Sequence, residues 1–287
     1  MQILRRLALI LVLLSLATPL SHAQEAAPKV TQIAPKFFLI SNAAGNLVLM
    51  TGDDASFVVG LQHPALVKQA MATVTAQKAQ PVKFVLIIDD ENAPDYGDGG
   101  WGARGAVTMS QELLSSRLHK PGQVAPILGF SQVMQLHIKG EDTHLIHDRA
   151  GFSDADVAIH FEHSGVAYLG PAFTTDGYPR IDLAHGGKLS GVIDTADFFA
   201  TRFAGAPQAI EPIVPGRGPV ATIADLAAYR DMLRTVRDRV RTAAKSGKSV
   251  QDVIASKPTA EFDAKWGHGP VTPANFVTMV YAAVGNE

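Results

Sequence analysis

No cysteine occurs anywhere in the 287 residues. Disulfides, a thiol nucleophile, a lipid-anchored cysteine and a cysteine zinc ligand are excluded together, so stability has to come from the core. Long apolar runs are almost as scarce. The one present, Leu7 to Leu20, follows Arg5 and Arg6 and precedes the small residues Ser21-His22-Ala23. That order predicts a secretory signal cleaved after Ala23, and the run is short for a membrane span. The expected mature protein is periplasmic or secreted and has no membrane partner.

A strong charge of one sign is lacking too. Without residues 1–23, 23 basic side chains face 27 acidic ones, a net charge of −4. Neither nucleic acid nor an anionic surface is indicated as a partner. The nucleophile elbow G-x-S-x-G is also missing: Gly129-Phe130-Ser131 lacks its second half, and "GKLSG" does not fit. A serine triad therefore has no support.

Apolar content is ample for a core, with 47% hydrophobic and 18% charged residues. The chain divides into a signal (1–23), a Pro/Ala-rich lead (24–32) and one domain (33–287). Alternating segments at Phe37–Ile40, Asn46–Thr51 and Ser56–Val59 predict an antiparallel meander, with "TGDDA" as a turn. Leu66, Val67, Ala70, Met71 and Val74 recur at helical spacing. A continuous apolar strand follows at Val82–Ile88, then a short one at Val107–Met109 and a helix opening at Ser110. Strands are expected again at Val133–Ile138, Thr143–His147, Val157–Phe161 and Val166–Leu169. A helix near Leu189–Phe203 and a strand at Ala209–Val214 come next. Thr222 with Asp225, Ser249 with Asp252, and Thr272 with Pro273 open three helices, the first closed by Gly247. Two half-domains of similar plan imply two mixed sheets face to face with helices outside, an αββα sandwich.

The puzzling stretch is "VLIIDDENAPDYGDGGWGARGA". A buried strand ends in five acids, Asp89, Asp90, Glu91, Asp95 and Asp98, with no histidine among them. Polar loops after buried strands often form functional edges. Clustered oxygens suit calcium or magnesium, but the spacing does not fit the EF-hand template. His144-x-x-His147 and His160-x-x-His163 fall on expected strands, where positions three apart face opposite sides and chelate poorly. His137, on an adjoining strand, is close enough in the predicted order to approach one of them. Trp101 and Trp266 are expected to pack rather than to bind.

The element order, together with "GNLVLMTGDDASFVVG", "GGWGARGAVTMSQELLSSRL", "DADVAIHFEHSGVAYLG", "YPRIDLAHGGKLSG" and "IVPGRGPVATIADLAAYRDML", resembles the metallo-β-lactamase fold of zinc hydrolases. The tail "KPTAEFDAKWG" resembles one bacterial subgroup. The resemblance implies that the strand ending at Ile88 runs into T-H-x-H-x-D-H-x-x-G, whose histidines and aspartate hold two zinc ions. With Gly99 on the motif glycine, the histidine positions are Glu91, Ala93 and Tyr96, and the aspartate survives as Asp95. The H-T-D-G-D motif corresponds to "FSDAD", with Phe152 at the histidine. The bridging aspartate falls on Pro171 and the histidine of P-G-H-G on Arg217. One ligand of seven remains.

Zinc requires three or four converging donors at about 2 Å, and without it no metal-bound hydroxide forms at neutral pH. The expectation is a degenerate zinc site with no cofactor, and a non-catalytic protein that binds a small molecule or a protein partner. The alternative is a hydrolase of a small ester, lactone, amide or thioester, using a rebuilt acidic metal site or a metal-free carboxylate mechanism. The candidate pocket is Glu91, Asp95, Tyr96, Asp154, His185 and Arg217. Two readings of Arg217 stand: its guanidinium replaces the zinc charge between Glu91 and Asp95, or it points to solvent.

Overall fold

In the computed structural model, residues 26–90, 101–119, 126–203 and 210–286 are described. The first sheet begins with strands β1 (Lys29–Ala34), β2 (Phe37–Asn42), β3 (Gly45–Thr51) and β4 (Ser56–Gly60), all antiparallel. Helix α1 (Pro64–Ala76) then crosses over, and β5 (Val82–Ile87), β6 (Val107–Gln111) and β7 (Leu128–Phe130) add parallel to β4. The antiparallel meander expected at Phe37 to Val59 is present. The strand β1 takes in residues 29–32, which the sequence assigned to the lead, so the sheet starts earlier than expected.

The helix α2 (Glu112–Leu118) starts two residues later than Ser110, because the side chain of Gln111 accepts from the Leu113 N–H and so caps it. The second sheet runs in the order β12-β11-β10-β9-β8. Its strands are β8 (Val133–Ile138), β9 (Glu141–Ile146), β10 (Ala158–Phe161), β11 (Ala167–Thr174) and β12 (Ile213–Arg217). The last of these is displaced from the expected 209–214, and it pairs parallel to β11. Helices α3 (Leu189–Arg202), α4 (Ile223–Lys245), α5 (Val250–Ala255), α6 (Asp263–Trp266) and α7 (Pro273–Asn286) complete the chain. Both expected capping boxes, at Thr222/Asp225 and Ser249/Asp252, are made.

Three apolar layers follow from the strand alternation. Phe37, Val48, Phe57, Leu86, Leu145, Ile159 and Phe161 fill the space between the sheets. Ile40, Leu47, Val58, Val85 and Trp101 pack under α1 and α2. Leu169 and Phe173 meet Val192, Tyr229, Leu233 and Phe276 of the helices on the other side. The result is two mixed sheets, of seven and five strands, between helical layers: an αββα sandwich. No helix among the described residues is long and apolar enough to cross a membrane.

Candidate functional site

The strands β5, β11 and β12 end at one edge of the sandwich, and a cavity of about 360 Å³ opens there. Leu61, Ile88, Leu114, Phe173, Tyr178 and Val271 give it an apolar wall, and Arg117, Arg180, Arg217, Asp90, Asp176 and Asp182 add charge. Its size and mixed lining suit a small organic ligand.

Two buried devices shape this edge. Asn46, on β3 and 1% exposed, donates to the carbonyls of Pro215 at 2.9 Å and Gly218 at 2.8 Å. It thereby ties the end of β12, and Arg217 with it, to the other sheet. The backbone approaches closely here as well: a Cβ on Gly45 would stand 2.8 Å from the Gly216 carbonyl oxygen. On the opposite wall, the loop carrying Phe152 is pinned by backbone bonds. Asp182 N–H donates to the Phe152 carbonyl at 2.7 Å, Lys188 N–H to Gly151 at 2.8 Å, and Asp154 N–H to His185 at 2.8 Å.

The three positions that the resemblance assigns to metal ligands and that lie on described residues converge. Phe152, Pro171 and Arg217, from three separate segments, all line the cavity. Phenylalanine and proline side chains offer a metal no donor, and a guanidinium repels it, so this set does not fit zinc. Of the candidate pocket, His185 and Arg217 line the cavity and Asp154 stands behind Arg117. Glu91, Ala93, Asp95 and Tyr96 lie outside the described residues.

Three acids of the cavity wall, Asp90, Asp176 and Asp182, each have a basic neighbour. Arg117 donates to Asp154 at 2.6 Å and stands 3.7 Å from Asp90. His185 Nδ1 is 2.8 Å from Asp182. Burial pushes the Asp182 carboxyl up, but hydrogen bonds from the His185 side chain and backbone outweigh it and hold the group below its ordinary value. Arg180 lies 4.9 Å from the centre of the Phe152 ring, a cation–π distance. Burial raises the Tyr168 phenol well above its ordinary value, so it stays protonated in the cavity lining.

Arg217 makes contacts that the sequence did not single out, and the pairing expected with Glu91 and Asp95 lies outside the described residues. Its Nε donates to Asp176 at 3.2 Å and its Nη1 to the Ala44 carbonyl at 3.0 Å. The carboxylate it meets among the described residues is thus Asp176, which the sequence did not single out. Asp176 itself is oriented by the Thr174 hydroxyl. Because the Arg217 side chain is 38% exposed, solvent screens the pair and its stability contribution is modest. Arg217→Ala is expected to lower stability by about 1 kcal/mol, through the lost pair and the Ala44 carbonyl left to water. Urea unfolding of the two proteins checks this, and a loss several times larger would mean that Arg217 carries a further buried contact.

Arg117, Arg180 and Asp176 were missed by sequence reasoning. Their partners lie tens of residues away with no periodic signal between them. Trp101 is buried, with its indole N–H donating to Gln62 at 2.9 Å, and Trp266 is buried as well, as expected of packing residues.

Comparison with solved structures places the fold. The stereoselective inverting sec-alkylsulfatase Pisa1 from Pseudomonas sp. superposes with a TM-score of 0.66 at 13% identity, over 88% of this chain and 50% of that one. A metallo-β-lactamase from Pontibacter korlensis gives 0.58 at 16% identity, over 72% and 99%. The DIM-1 metallo-β-lactamase gives 0.61 at 11%, over 74% and 99%. This chain therefore has the metallo-β-lactamase fold, and it spans half the length of the alkylsulfatase it matches. No protein-family model matches the sequence, and no curated protein matches it significantly.

Proposed function

We propose that this chain is a non-catalytic protein of the metallo-β-lactamase fold, exported by its N-terminal segment, that uses the old metal cavity to bind a small molecule or a partner. The observation that carries the reading is the convergence of Phe152, Pro171 and Arg217 on one cavity. Three positions expected to ligate metal by resemblance meet in space and present a ring, a pyrrolidine and a cation. Apolar side chains and fixed ion pairs line the space that remains.

The rebuilt-hydrolase alternative is less well supported. General acid–base work calls for a carboxyl or imidazole poised near neutral pH against a reacting group. Here Asp90, Asp176 and Asp182 are engaged with Arg117, Arg217 and His185. Arg217 and Asp182 act as wall-fixing charges, and Phe152 with Arg180 gives a flat face on which a planar or apolar ligand can stack.

A fragment screen by protein-observed NMR tests the binding role. Hits are expected to shift resonances of Phe152, Phe173 and Tyr178 together, and Arg180→Ala is expected to weaken them several-fold by removing the stacked guanidinium. Shifts scattered over other surfaces, with this trio silent, would overturn the reading.

A further inference from the structure

Tyr168 lies near the start of β11 and is fully buried among the side chains between the sheets, yet it also lines the cavity. Its ring leans toward the cavity edge of the sandwich. A Cβ on Gly170, two residues further along β11, would stand 3.4 Å from the ring carbon Cε1. The hydroxyl ends beside Gly60, the last residue of β4, where a Cβ would stand 3.3 Å from the oxygen. Gly60 pairs with Ile87 at the end of β5 and is followed by Leu61, itself part of the cavity wall. The phenol is thus delivered to the strand ends that form the cavity.

Among the described residues this hydroxyl has no hydrogen-bond partner. Tyr178 and Tyr229, buried likewise, do have one: they donate to Asp263 at 2.8 Å and to the Ala172 carbonyl at 3.2 Å. A buried phenol that donates to nothing carries a desolvation cost that a phenylalanine of the same shape avoids. Burial first, and then the charges of Asp89 and Asp156, hold the proton on the Tyr168 oxygen. The group is therefore a donor, and an anion brought to it would stand against the same carboxylates. Among the described lining side chains four carboxylates face three guanidiniums, so no surplus of positive charge offsets that repulsion.

We propose that Tyr168 is the specificity-determining donor of this cavity, and that its ligands are uncharged, planar organic molecules with a carbonyl-type acceptor. Given the reading of the cavity as a binding site, on which this rests, the apolar wall takes the ring system and the Phe152–Arg180 pair offers a face to stack on. The ligand carbonyl accepts from the phenol. The Tyr168 oxygen is covered by its neighbours, so a ligand reaches it by parting side chains of the lining, a rotamer change of the kind common on binding.

Titration of the protein with 1-indanone, indane and indane-1-carboxylate, followed by protein-observed NMR, tests this. The ketone is expected to bind at the cavity at least fivefold more tightly than either of the others. Tyr168→Phe keeps the ring and removes the hydroxyl. It is expected to bring the ketone down to the level of indane and to leave indane within twofold. It is also expected to melt at or above the parent, because no hydrogen bond is lost. Ketone binding unchanged by Tyr168→Phe, a carboxylate bound as tightly as the ketone, or a variant melting well below the parent would each overturn the proposal while leaving the cavity a binding site. If none of the three probes shifts Phe152, Phe173 or Tyr178, the reading of the cavity falls and the role of Tyr168 with it.

Discussion

Gly191→Ala is expected to be strongly damaging for so conservative a change, costing about 3 kcal/mol or more. Gly191 sits in the first turn of α3, where a Cβ would fall 1.6 Å from the Ala150 carbonyl oxygen and 2.7 Å from its carbon. Backbone cannot swing aside as a side-chain tip can. Gly187 meets the same loop two residues on, with a Cβ there falling 2.2 Å from the Phe152 oxygen. Both glycines let α3 and its lead-in press directly against the loop that presents Phe152 to the cavity. The overpacking has no cheap relief, since moving the loop breaks the Lys188–Gly151 and Asp182–Phe152 backbone bonds. Chemical denaturation, with the cavity followed by NMR, measures both consequences. A Gly191→Ala protein as stable as the parent would mean that the α3–loop contact is looser than described.

The second large effect is a pH dependence that belongs to Asp156. Its carboxylate is buried and accepts from the N–H groups of Phe152 and Ser153 and from the Ser153 hydroxyl. Burial pushes its pKa up to about 6 from an ordinary value of 3.8, against those hydrogen bonds. A raised carboxyl means that the folded protein binds a proton that the unfolded chain releases between those two values. The stability from the neutral carboxyl is fully present below the unfolded pKa and is lost as pH rises through the folded one. At about 1.4 kcal/mol per unit, the swing is on the order of 2–3 kcal/mol. Asp156→Asn cannot titrate. Stability of the parent relative to this variant is therefore expected to fall between pH 4 and pH 7. Carboxylates held low by partners, such as Asp182 and Asp225, give the opposite slope, but they occur in both proteins and cancel. Urea unfolding of the pair across that range decides it, and a flat difference would show that Asp156 stays ionised on its three donors.

Much of this architecture could be read from residue patterns, for identifiable reasons. Strands buried on both faces, such as β3 and β4, are continuous apolar runs, and α4 carries its stripe of Leu226, Tyr229, Leu233, Val236 and Val240 between a capping box and Gly247. The strand β1 was hidden because it is an edge: "KVTQIA" is half exposed and pairs on one side only. Three-residue β7 is too short for any period to show. The β12 boundary slipped because what extends the strand through Pro215 and Gly216 to Arg217 is its parallel pairing with β11, a register the local sequence does not display.

The site divides in the same way. Local motifs located Phe152, Pro171 and Arg217, and these do meet at one cavity. The charges around them could not be paired from sequence. Arg117 reaches Asp154 across 37 residues and Arg217 reaches Asp176 across 41, and the contacts exist only once the strand ends are brought to one edge. Similarly, alternation predicted that His144 and His147 would not act together. Cross-strand register, which sequence does not display, set His144 against His160 and His137 against Asp142.

The central claim is that the metallo-β-lactamase fold persists here without zinc hydrolysis. Purified protein, first stripped with a chelator and then supplied with zinc, should be assayed against a β-lactam, a thioester, a lactone and a phosphodiester. The account predicts no turnover above the zinc-only blank in any state, because Phe152 and Pro171 supply no donor and Arg217 opposes the metal. Turnover that the chelator abolishes and zinc restores would contradict it.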